Sequence, residues 1–271
     1  MIEMVTSVPT ECADFEQYGP DHVAALLVLA GITTVLCALL RRSRGRPSED
    51  AIRLAICWSL GLLLPAIAVF EQIYEAARGW WSLEESLPLH LCDFAVVVTS
   101  AALLAARAAR GGVLENRLDA RQRLFELSYF WAIGGTLQAI LTPDLAFRFP
   151  HPAYLSFFAS HGGILAAVLV MTVGLGLRPR RGFVIRAGVV TGLVAMPVGL
   201  VNWLIGANYM YLCGKPKHAS IYDYFGPWPW SLITLMLVCV ITLLILYSPF
   251  WFLNRAADLA EPTVPESRVE R

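Results

Sequence analysis

The sequence predicts an all-α, polytopic transmembrane bundle of seven helices, with its N-terminus outside and its C-terminus cytoplasmic. Three observations carry this expectation. The 271 residues are 57% hydrophobic and only 15% charged, too few charges to cover a soluble surface of that size. Apolar runs of roughly 20 residues recur along the chain, each long enough to cross a bilayer core. The basic residues alternate loop by loop between two sides, which sets both the number of spans and their direction.

The runs fall at about 22–40, 51–73, 87–106, 124–141, 153–177, 183–205 and 229–252. They lack the period-2 alternation of barrel strands. A backbone in hydrocarbon must pair its own N–H and C=O groups, so each run reads as a helix. Residues 1–252 form one seven-helix domain in this reading. The first 21 residues hold five acidic side chains and no Lys or Arg. Span 1 is therefore expected to act as its own insertion signal, without a cleaved signal peptide. Residues 253–271 are polar, contain proline and are expected to be a disordered cytoplasmic tail.

Basic residues follow span 1 (Arg41, Arg42, Arg44, Arg46, Arg53), span 3 (Arg107, Arg110, Arg117, Arg121, Arg123), span 5 (Arg178, Arg180, Arg181, Arg186) and span 7 (Arg255, Arg268, Arg271). These seventeen define the cytoplasmic side, against four on the other: Arg78, Arg148, Lys215 and Lys217. The expected location is the cell membrane, as a multi-pass protein. Zero net charge, with arginines scattered through short loops, gives no nucleic-acid footprint. Nothing in the sequence specifies an oligomeric partner.

With direction assigned, the unusual polar residues gather in the outer half. Glu71 and Gln72 end span 2, and His90, Cys92 and Asp93 begin span 3. Gln138 lies near the outer end of span 4, ahead of Asp144. His161 lies about 10 Å below the start of span 5 by helix rise. Asn202 and Asn208 lie near the end of span 6, and Lys215 and Lys217 in the loop that follows. Ionisable groups in a membrane are costly and normally mark function. The competing reading, interfacial hydration or hydrogen bonding between helices, suits Gln138, Asn202 and Asn208 better.

Of six cysteines, Cys37, Cys57 and Cys239 sit in apolar runs and read as small hydrophobes. Cys12 and Cys213 share the outer side, where a disulfide is open to them. No C-x-x-C occurs. Cys92 follows Pro88, and proline suits a first helical turn. That puts Cys92 near a helix N-terminus, where the backbone dipole favours a thiolate. His90, two residues away, points to a different side of the helix. His161, at similar depth on another helix, is the better partner for a Cys–His nucleophile pair oriented by an amide. The H-x-C spacing is not a metal-site signature, and no metal or cofactor is expected. Trp80, Trp81, Tyr209, Tyr211, Trp228 and Trp230 read as an outer aromatic belt.

The motifs LPLHLCD, WAIGGTLQAILTPD, FPHPAYLSFFASHGG, NWLIGANYMYLCGKP and GPWPW, in this order, resemble the YwaF-type integral membrane proteins over about residues 55–240. That family is similar to an animal transmembrane cysteine-dependent acyltransferase acting on phospholipids. More distant relatives are lipid-ester hydrolases. The resemblance implies that Cys92 is the acyl-accepting nucleophile and His161 its base. The expected function is a membrane-embedded lipid acyltransferase or lipid-ester hydrolase in an outer-side cavity, with membrane lipids as substrate or ligand. His90, Asp93, Gln138, Asn202 and Asn208 are candidates to orient the imidazole or hold the oxyanion. Lys215 and Lys217 are candidates for a lipid phosphate. The alternative is a non-catalytic receptor or subunit, or a small-solute transporter with an outer-facing polar cavity. A transporter would want helices broken near the midplane, for which Pro65 and Pro197 are candidates.

Overall fold

A computed structural model of the chain describes residues 15–105, 114–216 and 221–260. Among these residues the chain is helical, in seven helices. They are α1 (Pro20–Ser43), α2 (Glu49–Arg78), α3 (Leu91–Leu104), α4 (Leu114–Trp131, continued through Ala132–Thr136 into Leu137–Leu141), α5 (Pro152–Leu169, continued through Val170–Gly174), α6 (Phe183–Ile205) and α7 (Trp230–Ala260). Six are long and apolar enough to span a membrane. The chain is a multi-pass membrane protein. Pro65 and Pro197 lie inside α2 and α6, and both helices run through them unbroken.

Two helices depart from the expected boundaries. α3 has 14 residues, about 21 Å of rise, and is too short to cross alone. It starts at Leu91 because Leu87–His90 approach it in a non-helical path, with the Leu87 N–H donating to the Tyr209 hydroxyl at 2.9 Å. Pro88 therefore precedes the helix and does not sit in its first turn. α7 runs to Ala260, past the point at which the tail was expected to begin. Residues 261–271, Cys12 and Lys217 lie outside the described residues.

Burial sorts the helices into two layers. In α4 and α5, 61% and 56% of the apolar span is buried inside the protein. In α1, α2, α6 and α7 the share is 11–17%, so those four present their sides to lipid. The core joins Leu64 of α2, Leu103 of α3, Phe125 and Trp131 of α4, Ile164 and Met171 of α5 and Phe183 of α6. Glycine lets α5 approach its neighbours: a Cβ on Gly162 would collide with Leu29 of α1, and one on Gly163 would meet Leu64 of α2 at 2.8 Å.

The two ends of the bundle are closed differently. At the end where α1 begins, the Pro20 end, buried His22 accepts from the Tyr18 N–H at Nδ1 (3.0 Å) and reaches the Ile140 carbonyl with Nε2 (2.8 Å). Tyr154 donates to the Asp21 carbonyl there. At the opposite, Ser43 end, Glu126 of α4 is buried and accepts from the Arg180 backbone and side chain, from Arg186 and from Gln122. Arg180 also reaches Asp119. Glu126 thus ties α4 to the α5–α6 connection and to α6.

Candidate functional site

The first turn of α3 is set by His90, whose extended backbone makes it the N-cap. The Asp93 carboxylate accepts from the His90 N–H at 2.8 Å, which closes one half of a capping box. Cys92 falls in this first turn, where N–H groups lack partners within the helix. The backbone N–H groups of Cys92 and Asp93 face its sulfur, and the carboxyls of Asp93 and Glu71 lie within electrostatic range of it. The thiol is free and half-buried.

α5 brings the histidine. Gly163 touches Leu64 of α2, and Ser156, two turns earlier on α5, lies beside Glu71, two turns later on α2. The antiparallel pair thereby keeps one register from its middle to the Cys92 level. His161 is half-buried between these two layers. Its Nδ1 lies 3.0 Å from the Phe157 carbonyl and 3.1 Å from the Ser160 hydroxyl, and its ring stacks on Phe157 at 4.2 Å. A carbonyl accepts only, so Nδ1 carries the proton and Nε2 is left as the basic nitrogen. Those two contacts are the polar partners of His161. The structure makes no hydrogen bond between it and Cys92.

His90 is held the opposite way round. Its Nδ1 accepts from the Met210 N–H at 3.3 Å, which assigns the proton to Nε2. It lies within electrostatic range of His161 and Asp144. Its ring packs on Tyr209 and Tyr211, and the Tyr211 hydroxyl donates to Asp144 at 3.4 Å. The loop that supports it is strained: Met210 and Tyr211 have φ of 58° and 55°, a left-handed backbone that costs a non-glycine residue about 1–2 kcal/mol. Such strain persists only where neighbours over-determine it. Here the Asn202 amide grips the Tyr209 backbone at both ends, 2.9 Å each, and is fully buried.

This spends several predicted residues elsewhere. Asp93 caps α3. Asn202 holds the Tyr209 backbone. Asn208 holds the next turn, accepting from the Cys213 N–H and donating to Gly214 and Lys215 carbonyls. Lys215 faces Asp223 at 3.7 Å across its own loop. Gln138 differs: its half-buried side chain makes no hydrogen bond among the described residues, and it lies one turn from Gly135, which packs toward Leu91 of α3. The belt reading of Tyr209 is corrected. It is 1% exposed, and its hydroxyl accepts from Leu87 and donates to the Leu83 carbonyl. Trp80 packs beside the stacked pair of Phe147 and His151.

Sequence reasoning missed Ser156, Ser160 and the partnership of Tyr211 with Asp144. A small polar residue within one helical turn of His161 was the available signal. Glu75 adds a shielded carboxyl oxygen without a hydrogen-bond partner one turn beyond Glu71. Among the described residues, no three His, Cys, Asp or Glu side chains are grouped to hold a metal ion. The cluster therefore offers a thiol, a basic imidazole nitrogen, a donor imidazole and carboxyls, the parts of an acyl- or proton-transfer site. No curated protein and no solved structure matches the chain. The model of the TMEM164 family matches residues 17–247, and the chain belongs to that family.

Proposed function

We infer that the chain is a membrane-embedded enzyme that transfers or hydrolyses a lipid acyl ester, with Cys92 as nucleophile and His161 as base. One observation carries the reading. A half-buried free thiol and an imidazole with an open Nε2 are presented from two packed helices near one end of the bundle. The motifs' resemblance to YwaF-type proteins, a family similar to a cysteine-dependent phospholipid acyltransferase, is in keeping with this reading. So does depth, since ester carbonyls of lipids lie near the membrane interface.

In this mechanism the Cys92 proton passes to His161 Nε2 as the sulfur attacks the ester carbonyl carbon. The carbon–oxygen ester bond breaks, and the departing lysolipid oxygen takes the proton back from the imidazole. A thioester remains. The hydroxyl of a second lysolipid, or of water, then gives its proton to His161 and attacks the thioester carbonyl. The carbon–sulfur bond breaks and Cys92 recovers its proton. His90 Nε2–H and the N–H group of Cys92 are the donors for the oxyanion. Catalytic hydrogen bonds often tighten only when substrate is bound, so substrate closes the gap between thiol and imidazole. The side on which this end lies is outside, following the arginine alternation.

The test uses the full chain in lipid nanodiscs with a fluorescent phospholipid and a lysophospholipid acceptor. Acyl-protein sensitive to hydroxylamine should form on wild type and be lost in Cys92→Ala. His161→Ala should slow turnover by roughly 10²–10⁴-fold. Cys213→Ala, which removes an exposed thiol, should behave as wild type. Full turnover in Cys92→Ala ends the proposal.

A further inference from the structure

The Ser43 end holds a cavity that the proposed chemistry does not use. It has a volume of about 100 Å³ and lies between α1, α2, α4 and the end of α5, lined among others by Ser43, Glu49, Arg53, Arg121 and Gly174. That is several times the ~10–15 Å³ a single water needs. Its lining is mainly polar, in contrast to the apolar flanks of the same helices.

Its arginines are marked out by shielded Nε groups without a hydrogen bond. Arg180 and Arg186 are paired with Glu126, and Arg123 with Asp119. Arg44 donates to the Gly174 carbonyl beside the cavity. Arg53 reaches Asp50 with one terminal nitrogen, but its Nε is shielded and unpartnered. Among the described residues Arg121 makes no ion pair, and its Nε too is shielded from solvent without a hydrogen bond. The two guanidiniums are within electrostatic range of each other. Glu49 lines the same cavity, but its carboxylate is held by the Gly45 N–H at 2.7 Å, on the loop side. Two neighbouring guanidiniums, each with a shielded N–H donor left unused, favour an anion that would satisfy those donors. A guanidinium matches a tetrahedral oxyanion through paired N–H donors.

We propose that this cavity binds a phosphate group, held by Arg121 and Arg53, from either a lipid head group or free phosphate. The ligand thereby staples α2 to α4 at the membrane boundary opposite the Cys92 cluster.

The experiment follows thermal unfolding of the delipidated full chain in detergent. One arm titrates inorganic phosphate against sodium chloride of equal ionic strength. The other titrates dioleoyl phosphatidic acid against dioleoylglycerol, which lacks the phosphate. A saturable rise in Tm of about 2–4 °C is expected in at least one phosphate arm and in neither control. A rise in both arms identifies free phosphate as sufficient, and a rise with phosphatidic acid alone identifies a head group. Arg121→Gln should raise the half-saturating concentration roughly tenfold. If that variant does not fold, Arg53→Gln carries the same expectation. No rise in either arm, or unchanged half-saturation in the folded variants, overturns the proposal.

Discussion

The Pro20 end and the Ser43 end of this bundle solve the same problem with different chemistry. At the Ser43 end, charge is balanced by charge: one buried carboxylate, Glu126, collects two arginines and a glutamine. At the Pro20 end the ion pairs Arg148–Asp21 and Lys215–Asp223 are partly exposed, and the buried contacts are neutral amides and imidazoles that grip backbone atoms, as Asn202 grips Tyr209 and His22 grips Tyr18 and Ile140. The first arrangement leaves Arg121 and part of Arg53 over. The second leaves Cys92, His161 Nε2, Gln138 and a carboxyl oxygen of Glu75 over. In each case the residues not consumed by closing the end are the ones available to a ligand, and they are found by subtraction rather than by residue type.

Breaking each closure measures this contrast. The largest effect is expected for Glu126→Ala, which leaves Arg180 and Arg186 without their shared carboxylate. Removing one partner of a buried pair costs 3–5 kcal/mol, and the cost here should sit near the low end, at about 3 kcal/mol. The reason is that Glu126 is 4% exposed while its two arginines are 45% and 49% exposed. Denaturant unfolding of the full chain in detergent would read it. Asn202→Leu should cost about 2 kcal/mol by leaving the Tyr209 N–H unpaired and its carbonyl with only the long Leu212 N–H contact. It should also release the strained Met210–Tyr211 turn, seen as faster maleimide labelling of Cys92. Tyr209→Phe removes both hydroxyl contacts with Leu83 and Leu87 and should cost about 1 kcal/mol.

The smallest effect is on pH. His151, the N-cap of α5, accepts from the Ala153 N–H at Nδ1. Desolvation, followed by the nearby Arg78, lowers its pKa below 6.5. The folded state therefore binds its proton less readily than the unfolded chain. This contribution is complete above pH 6.5 and fades as pH falls through the lower, folded value. Wild type should lose more Tm than His151→Asn between neutral and acid pH, because asparagine keeps the cap without titrating. Equal losses would reject this.

Much of the fold was legible beforehand, because apolar length and loop arginines are local quantities. The helices α1, α2, α5 and α6 lie close to the runs expected for them. The entry to α3 was not legible: Pro88 is a credible first-turn residue, and only the Tyr209 hydroxyl, 122 residues away in sequence, shows that the helix waits until Leu91. The π-helical turns at Ala132–Thr136 and Val170–Gly174 were equally hidden, since a widened turn is stabilised by distant partners such as Cys239, whose thiol donates to the Gly134 carbonyl at 3.3 Å. At the site, residue types singled out Cys92, His161 and His90. They did not separate Asn202, Asn208 and Asp93, which are committed to backbone, from Gln138, which is not.

The sequence by itself determined that this chain is a helical membrane protein, because hydrocarbon admits long apolar helices and little else. It also determined where the costly polar residues lie along those helices. Tertiary structure alone decided how each of them is used: which histidine nitrogen holds the proton, which amide is saturated and which arginine has no partner. Those are properties of contacts between residues far apart in the chain, and no local pattern encodes a hydrogen bond whose other half is a hundred residues away.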